Sequence, residues 1–137
     1  MKNLISIVVL VSLTCVLLAE GNGEGGYGSA MEIQLDQTVS GHLASTYQED
    51  FYKFDLDRTG TLEVKMMEVP ANAQTEMVLS SEHGSILPVM ASGSVPGELV
   101  TLKADITQPD LYYLLIRNQV EGDLAETDYA FVVSLSR

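Results

Sequence analysis

The chain of 137 residues has one cysteine, no tryptophan, two histidines and only seven Lys and Arg. Each shortage removes a class of protein. A lone cysteine cannot close an internal disulfide, so core packing must stabilise the fold without staples. Seven cations against 19 Asp and Glu leave a formal charge of -12, which opposes binding to phosphate backbones and to anionic membranes. Zinc motifs are missing, with no H-E-x-x-H and no paired Cys/His spacing. There is no G-x-S-x-G elbow, and His42 and His83 stand far apart with no serine–acid set assigned to either. Non-enzymatic function is the expectation that follows.

What is present begins with an address. Lys2 precedes an apolar run from Leu4 to Ala19, broken only by Ser6, Ser12 and Thr14. That run falls short of the ~20 residues a spanning helix needs and matches the pattern of a secretory signal peptide. Residues 1–21 are therefore read as signal peptide, cleaved after Gly21 or after Ala19. The rival readings are lipid attachment at Cys15, which Ser12-Leu13-Thr14 supports poorly, and an uncleaved membrane anchor. The expected location is secreted or periplasmic. Residues 22–30 carry glycines at 23, 25, 26 and 28 and read as a flexible linker, with ordered structure expected over 31–137.

Beyond the linker, hydrophobic side chains recur every second residue. Tyr52, Phe54 and Leu56 alternate with Phe51, Lys53 and Asp55. Leu62, Val64 and Met66 alternate with Glu63 and Lys65. Tyr112, Leu114 and Ile116 alternate with Tyr113, Leu115 and Arg117, and Tyr129, Phe131, Val133 and Leu135 close the chain. This period belongs to strands with one buried face. Weaker strands are expected at Glu32–Leu35, Thr38–Leu43, Glu76–Ser80, Ser85–Met90 and Glu98–Ala104. Turn residues separate them: Asp57 to Gly60 predicts a hairpin, Glu82-His83-Gly84 and Val95-Pro96-Gly97 predict others, and Pro109-Asp110 starts another turn. Eight or nine short strands at this spacing predict an all-β antiparallel sandwich, jelly-roll-like.

Three pieces also stand in a recognisable order: Thr38-Val39-Ser40-Gly41-His42-Leu43, then Asp50-Phe51-Tyr52-Lys53-Phe54-Asp55-Leu56, then Tyr112-Tyr113-Leu114-Leu115-Ile116 with Tyr129-Ala130-Phe131-Val132-Val133. The set, over residues 31–137, resembles the bacterial pre-peptidase C-terminal (PPC) domain, a β-sandwich commonly appended to secreted proteases. Asp110-Leu111 stands where that pattern has a glycine before the tyrosine pair. The resemblance implies an accessory module, here expected to stand alone behind a signal peptide. Some members, the collagen-binding domains of clostridial collagenases, bind calcium largely through their N-terminal segment, where this chain offers only Glu32 and Asp36.

Two sites are then candidates. Glu121, Asp123, Glu126 and Asp128 crowd ahead of the last strand and would suit a hard cation such as calcium; otherwise they form a solvated loop, and no other cofactor is indicated. Asp55 to Gly60 opens like an EF-hand loop, but Met66 stands where the closing carboxylate belongs, so a turn is expected. The second site is aromatic. If the Asp50 and Leu111 strands are neighbours, Phe51, Tyr113 and Leu115 point away from the core, with Tyr47 in the loop beside them. Such a patch suits an extracellular polymer, glycan or protein. Alternatively a loop or a homodimer partner covers it, or the domain assists folding, docking or inhibition of a separately encoded secreted hydrolase. Asp50 is expected to accept backbone N–H bonds from the turn before its strand.

Overall fold

The computed structural model describes residues 26–43, 48–121 and 128–137, together with the backbone of Leu18 and Ala19. Ten strands follow in order: β1 Leu18–Ala19, β2 Met31–Glu32, β3 Thr38–His42, β4 Glu49–Leu56, β5 Gly60–Glu68, β6 Thr75–Ser81, β7 Val89–Ser92, β8 Thr101–Ile106, β9 Asp110–Asn118 and β10 Asp128–Ser136. One 3-10 turn, Tyr27–Ser29, precedes β2. No helix among the described residues is long and apolar enough to cross a membrane.

The strands form two five-stranded sheets, ordered β1-β3-β10-β5-β8 and β2-β4-β9-β6-β7. Without the two-residue strands β1 and β2, every pairing is antiparallel. The remaining orders, β3-β10-β5-β8 facing β4-β9-β6-β7, are those of a jelly roll. The sandwich expected from alternation is present. β1 and β2 add short parallel pairs to β3 and β4, and the β1 pair is available only to a chain that retains Ala19.

Alternation placed the core correctly because each strand has one dry face. Tyr52, Phe54, Tyr112, Leu114, Ile116, Phe131 and Val133 are all at most 1% exposed. Each such side chain contributes roughly 1.5–3 kcal/mol by leaving water. Tyr52 meets Phe131 edge-on across the sheets with centroids 4.9 Å apart, and Phe54 stacks on Tyr112 at 6.3 Å. β10 and β5 slip register between Ala130 and Phe131, which leaves Met67 unpaired and 54% exposed.

The expected hairpin at Asp57 to Gly60 is instead an arch between sheets, for β4 pairs with β9 while β5 pairs with β10 and β8. A hairpin and an arch both send Leu56 and Leu62 into one interior, so the pattern does not distinguish them. Gly60 has φ +156°, and a side chain there would collide with the carbonyl of Ser136. Val95-Pro96-Gly97 likewise links sheets, from β7 to β8. Among the described residues, only β6 and β7 are consecutive strands joined as a hairpin. Its loop runs further than expected, so β7 starts at Val89 rather than Ser85, because Ile86 N bonds Ser81 Oγ at 3.2 Å and Pro88 has no N–H to offer a ladder. β8 starts at Thr101 rather than Glu98, whose carboxylate instead accepts Ser94 N–H at 2.5 Å.

Candidate binding face

The outer face of the β4-β9-β6 sheet gathers the aromatic side chains that alternation turned away from the core. β4 and β9 are neighbours as expected, pairing Phe51 with Leu115 and Lys53 with Tyr113. On the other side of β9, Leu115 pairs with Val78 and Tyr113 with Ser80. Phe51 and Tyr113 are half-buried. Leu115 corrects the expectation: flanked in register by Phe51 and Val78, it is 7% exposed and underlies the face without being open to a ligand. Tyr47 lies outside the described residues.

The largest addition comes from the segment read as a linker. Tyr27 lays its ring edge-on against both Phe51 and Tyr113, with centroids 5.1 Å from each. It remains 49% exposed. Gly26, at φ +52°, turns the chain so that the ring reaches the sheet, and residues 22–25 lie outside the described residues. Beside this trio is an open groove of about 490 Å³ lined by Tyr27, Gly28, Ser80, Ser81, Glu82 and Tyr113. Its volume falls within the range of small-molecule sites. Tyr113 donates its hydroxyl to Glu82 Oε2, and that hydrogen bond raises the tyrosine's pKa. The groove's polar residues were not singled out from sequence. Ser80 and Glu82 reach it only because β6 lies beside β9, a pairing that local alternation does not encode.

Further along the same face, Glu76 is 3% exposed although its strand position points outward. Arg117 covers it, with Nε 2.6 Å from Oε1, and Gln119 and Ser92 bond Oε2. Arg117 also lies 3.8 Å from Glu49. The charge is thus paired and hydrogen-bonded, as burial requires.

The acidic candidates part company. Glu121 is exposed, Asp123 and Glu126 lie outside the described residues, and Asp128 lies 2.6 Å from His42 Nδ1. No group of three metal-ligating side chains occurs among the described residues. Asp55 and Asp57 are exposed on the arch.

The histidines and serines reveal one cluster that sequence did not single out. Asp110 Oδ1 lies 2.7 Å from His83 Nδ1, and its Oδ2 accepts Ser85 Oγ at 2.9 Å and His83 N at 3.2 Å. Desolvation would raise the Asp110 pKa, but bonds from His83, Ser85 and Leu111 N outweigh it and hold it down at about 2. The same carboxylate raises the His83 pKa. Serine and histidine each bind the aspartate rather than one another, and Ser85 Oγ turns on to Tyr112 OH at 3.0 Å. In a nucleophilic triad the base must take the serine proton, so this arrangement ties down the β6–β7 loop instead.

Asp50 also differs from expectation. Its Oδ2 accepts the Tyr129 hydroxyl, not backbone N–H groups, and Tyr129 OH lies 2.5 Å from Tyr52 OH. Gly41 leaves the space these hydroxyls fill, since a side chain there would overlap both. Burial pushes the Asp50 carboxyl up to about 6 against the opposing pull of Tyr129, His42 and Gln48, and it raises both tyrosines.

By sequence, no family model and no curated protein matches the chain. Its structure is similar to the crystal structure of the pre-peptidase C-terminal domain of a collagenase from Bacillus anthracis. The TM-score is 0.61 at 22% identity, covering 77% of this chain and 94% of that one. The likeness establishes the fold as that of a PPC domain.

Proposed function

We propose that this protein is an exported, non-catalytic binding module that holds an extracellular polymer against the outer face of β4, β9 and β6. The observation that carries the reading is the Tyr27–Phe51–Tyr113 cluster with the groove beside it. Aromatic rings clustered on an outward sheet face, with hydroxyls and a carboxylate alongside, form a recognition surface that core packing does not require. The apolar run at Leu4–Ala19 supports export, and the PPC-type fold is consistent with an accessory role.

Retention of the purified protein on immobilised extracellular polymers, both glycans and proteins, tests this. A Tyr113→Ala variant should lose retention while keeping its melting temperature within a few degrees. Ser80→Arg, which blocks the groove without removing an aromatic, should lose it as well. Undiminished retention by both variants would contradict the assignment.

A further inference from the structure

We propose that the ligand of this groove is a neutral, polyhydroxylated chain, an uncharged polysaccharide, with Tyr27 as a specificity-determining wall; this rests on the binding-module reading above. Among the described residues, the lining contains no Lys, Arg or His and does contain the Glu82 carboxylate. On a chain of formal charge -12, a polyanion would meet repulsion at every range and no compensating cation in the groove.

Cationic groups match the donor inventory less well. An ammonium offers hydrogens only, whereas the groove presents hydroxyls that need acceptors as well as donors: Ser80 Oγ and Tyr113 OH stand beside Glu82. Glu82 also already accepts a hydrogen bond from the Tyr113 hydroxyl, which occupies part of its acceptor capacity. Sugar hydroxyls both give and take hydrogen bonds, and sugar rings present flat C–H surface to aromatic rings. An extended peptide would need a free strand edge for its backbone groups, but β6 and β9 are each paired on both sides.

Tyr27 is the residue that makes the face a groove. It stands across the groove from Ser80 and Glu82, held by ring contacts with Phe51 and Tyr113 and by the three-residue turn Tyr27–Ser29, which Gly26 and Ala30 flank. Gly28 has nothing near where its side chain would be, so the wall is thin and open to a long chain passing by. Tyr27→Ala should remove the wall and leave the sandwich intact, because the ring is half exposed.

The test is a panel of immobilised or soluble probes: cellulose, chitin and β-1,3-glucan as neutral chains, alginate and heparin as polyanions, and gelatin and polylysine as polypeptides. The expected result is binding to at least one neutral chain and to neither polyanion. Tyr27→Ala and Ser80→Arg, with unchanged melting temperature, should weaken that binding at least tenfold. Neutral-chain binding that survives both substitutions would overturn the assignment to this groove. Retention on gelatin or polylysine alone, lost in the same variants, would overturn the neutral-glycan assignment and leave the binding module standing. Polyanion binding would overturn it in the same way, and no binding to any probe would overturn both.

Discussion

Asp50 and Asp110 sit at opposite ends of the β4–β9 pair, the first opposite Ile116 and the second opposite Leu56. Each has a histidine nearby and a tyrosine hydroxyl in its network, yet burial and hydrogen bonding resolve oppositely. Asp110 receives His83, Ser85 and two backbone N–H groups, and its pKa falls to about 2. Asp50 receives the Tyr129 hydroxyl on one oxygen while Oδ1 lacks a hydrogen-bond partner, and its pKa climbs to about 6. The lesson is that a carboxylate in this sandwich stays charged only where its donors outweigh the desolvation it suffers: at Asp50 burial wins over Tyr129, His42 and Gln48, and at Asp110 the hydrogen bonds win.

Placing the same substitution near each end should break the symmetry most visibly. Gly41→Ala must drive the Tyr129 and Tyr52 hydroxyls off Asp50, at a cost of about 3 kcal/mol from overpacking and lost hydrogen bonds. Gly84→Ala, in the loop next to Asp110, meets no atom and strains only a φ of +71°, a cost of about 1 kcal/mol. Chemical denaturation of the two variants measures the difference directly.

The two carboxylates also respond to pH with opposite sign. Asp50's folded pKa lies above its ordinary 3.8, so the folded state binds the extra proton between those values. Its contribution to stability is unfavourable above pH 6 and recovers as pH falls from 6 towards 3.8, by on the order of 3 kcal/mol. The stability difference between wild type and Asp50→Asn should therefore move in favour of wild type across that window. Asp110 has the opposite sign: its stabilisation is complete above its ordinary 3.8 and is lost as pH falls towards 2. Asp110→Asn should accordingly lower the melting temperature at pH 7, and its deficit should shrink in strong acid. Hydrogen exchange should quicken mainly in the β6–β7 loop. The smallest effect on stability belongs to Tyr27→Ala, whose melting temperature should stay within a few degrees of wild type although binding falls.

These differences also mark what a sequence can and cannot convey. Alternation identified the buried set at Tyr52, Phe54, Tyr112, Leu114 and Phe131, because a strand with one dry face must repeat every second residue. It also turned Phe51 and Tyr113 outward. The same alternation did not separate the arch at Asp57–Gly60 from a hairpin, since both point the same residues inward. Nothing in the sequence marks Glu76 as buried, but Arg117, Gln119 and Ser92 from two other segments cover it. Tyr27 stood in a glycine-rich stretch whose composition signals freedom, and only the tertiary neighbours Phe51 and Tyr113 give its ring a place. The faint signal was that it is the sole aromatic among those glycines.

The most direct test of the account is an NMR titration of the protein with a soluble neutral β-glucan oligosaccharide. Shifts concentrated at Tyr27, Ser80, Glu82 and Tyr113, with Asp50 and Tyr129 unmoved, are the predicted result. Shifts confined to the opposite sheet or to the sandwich ends, with the groove silent, would contradict it.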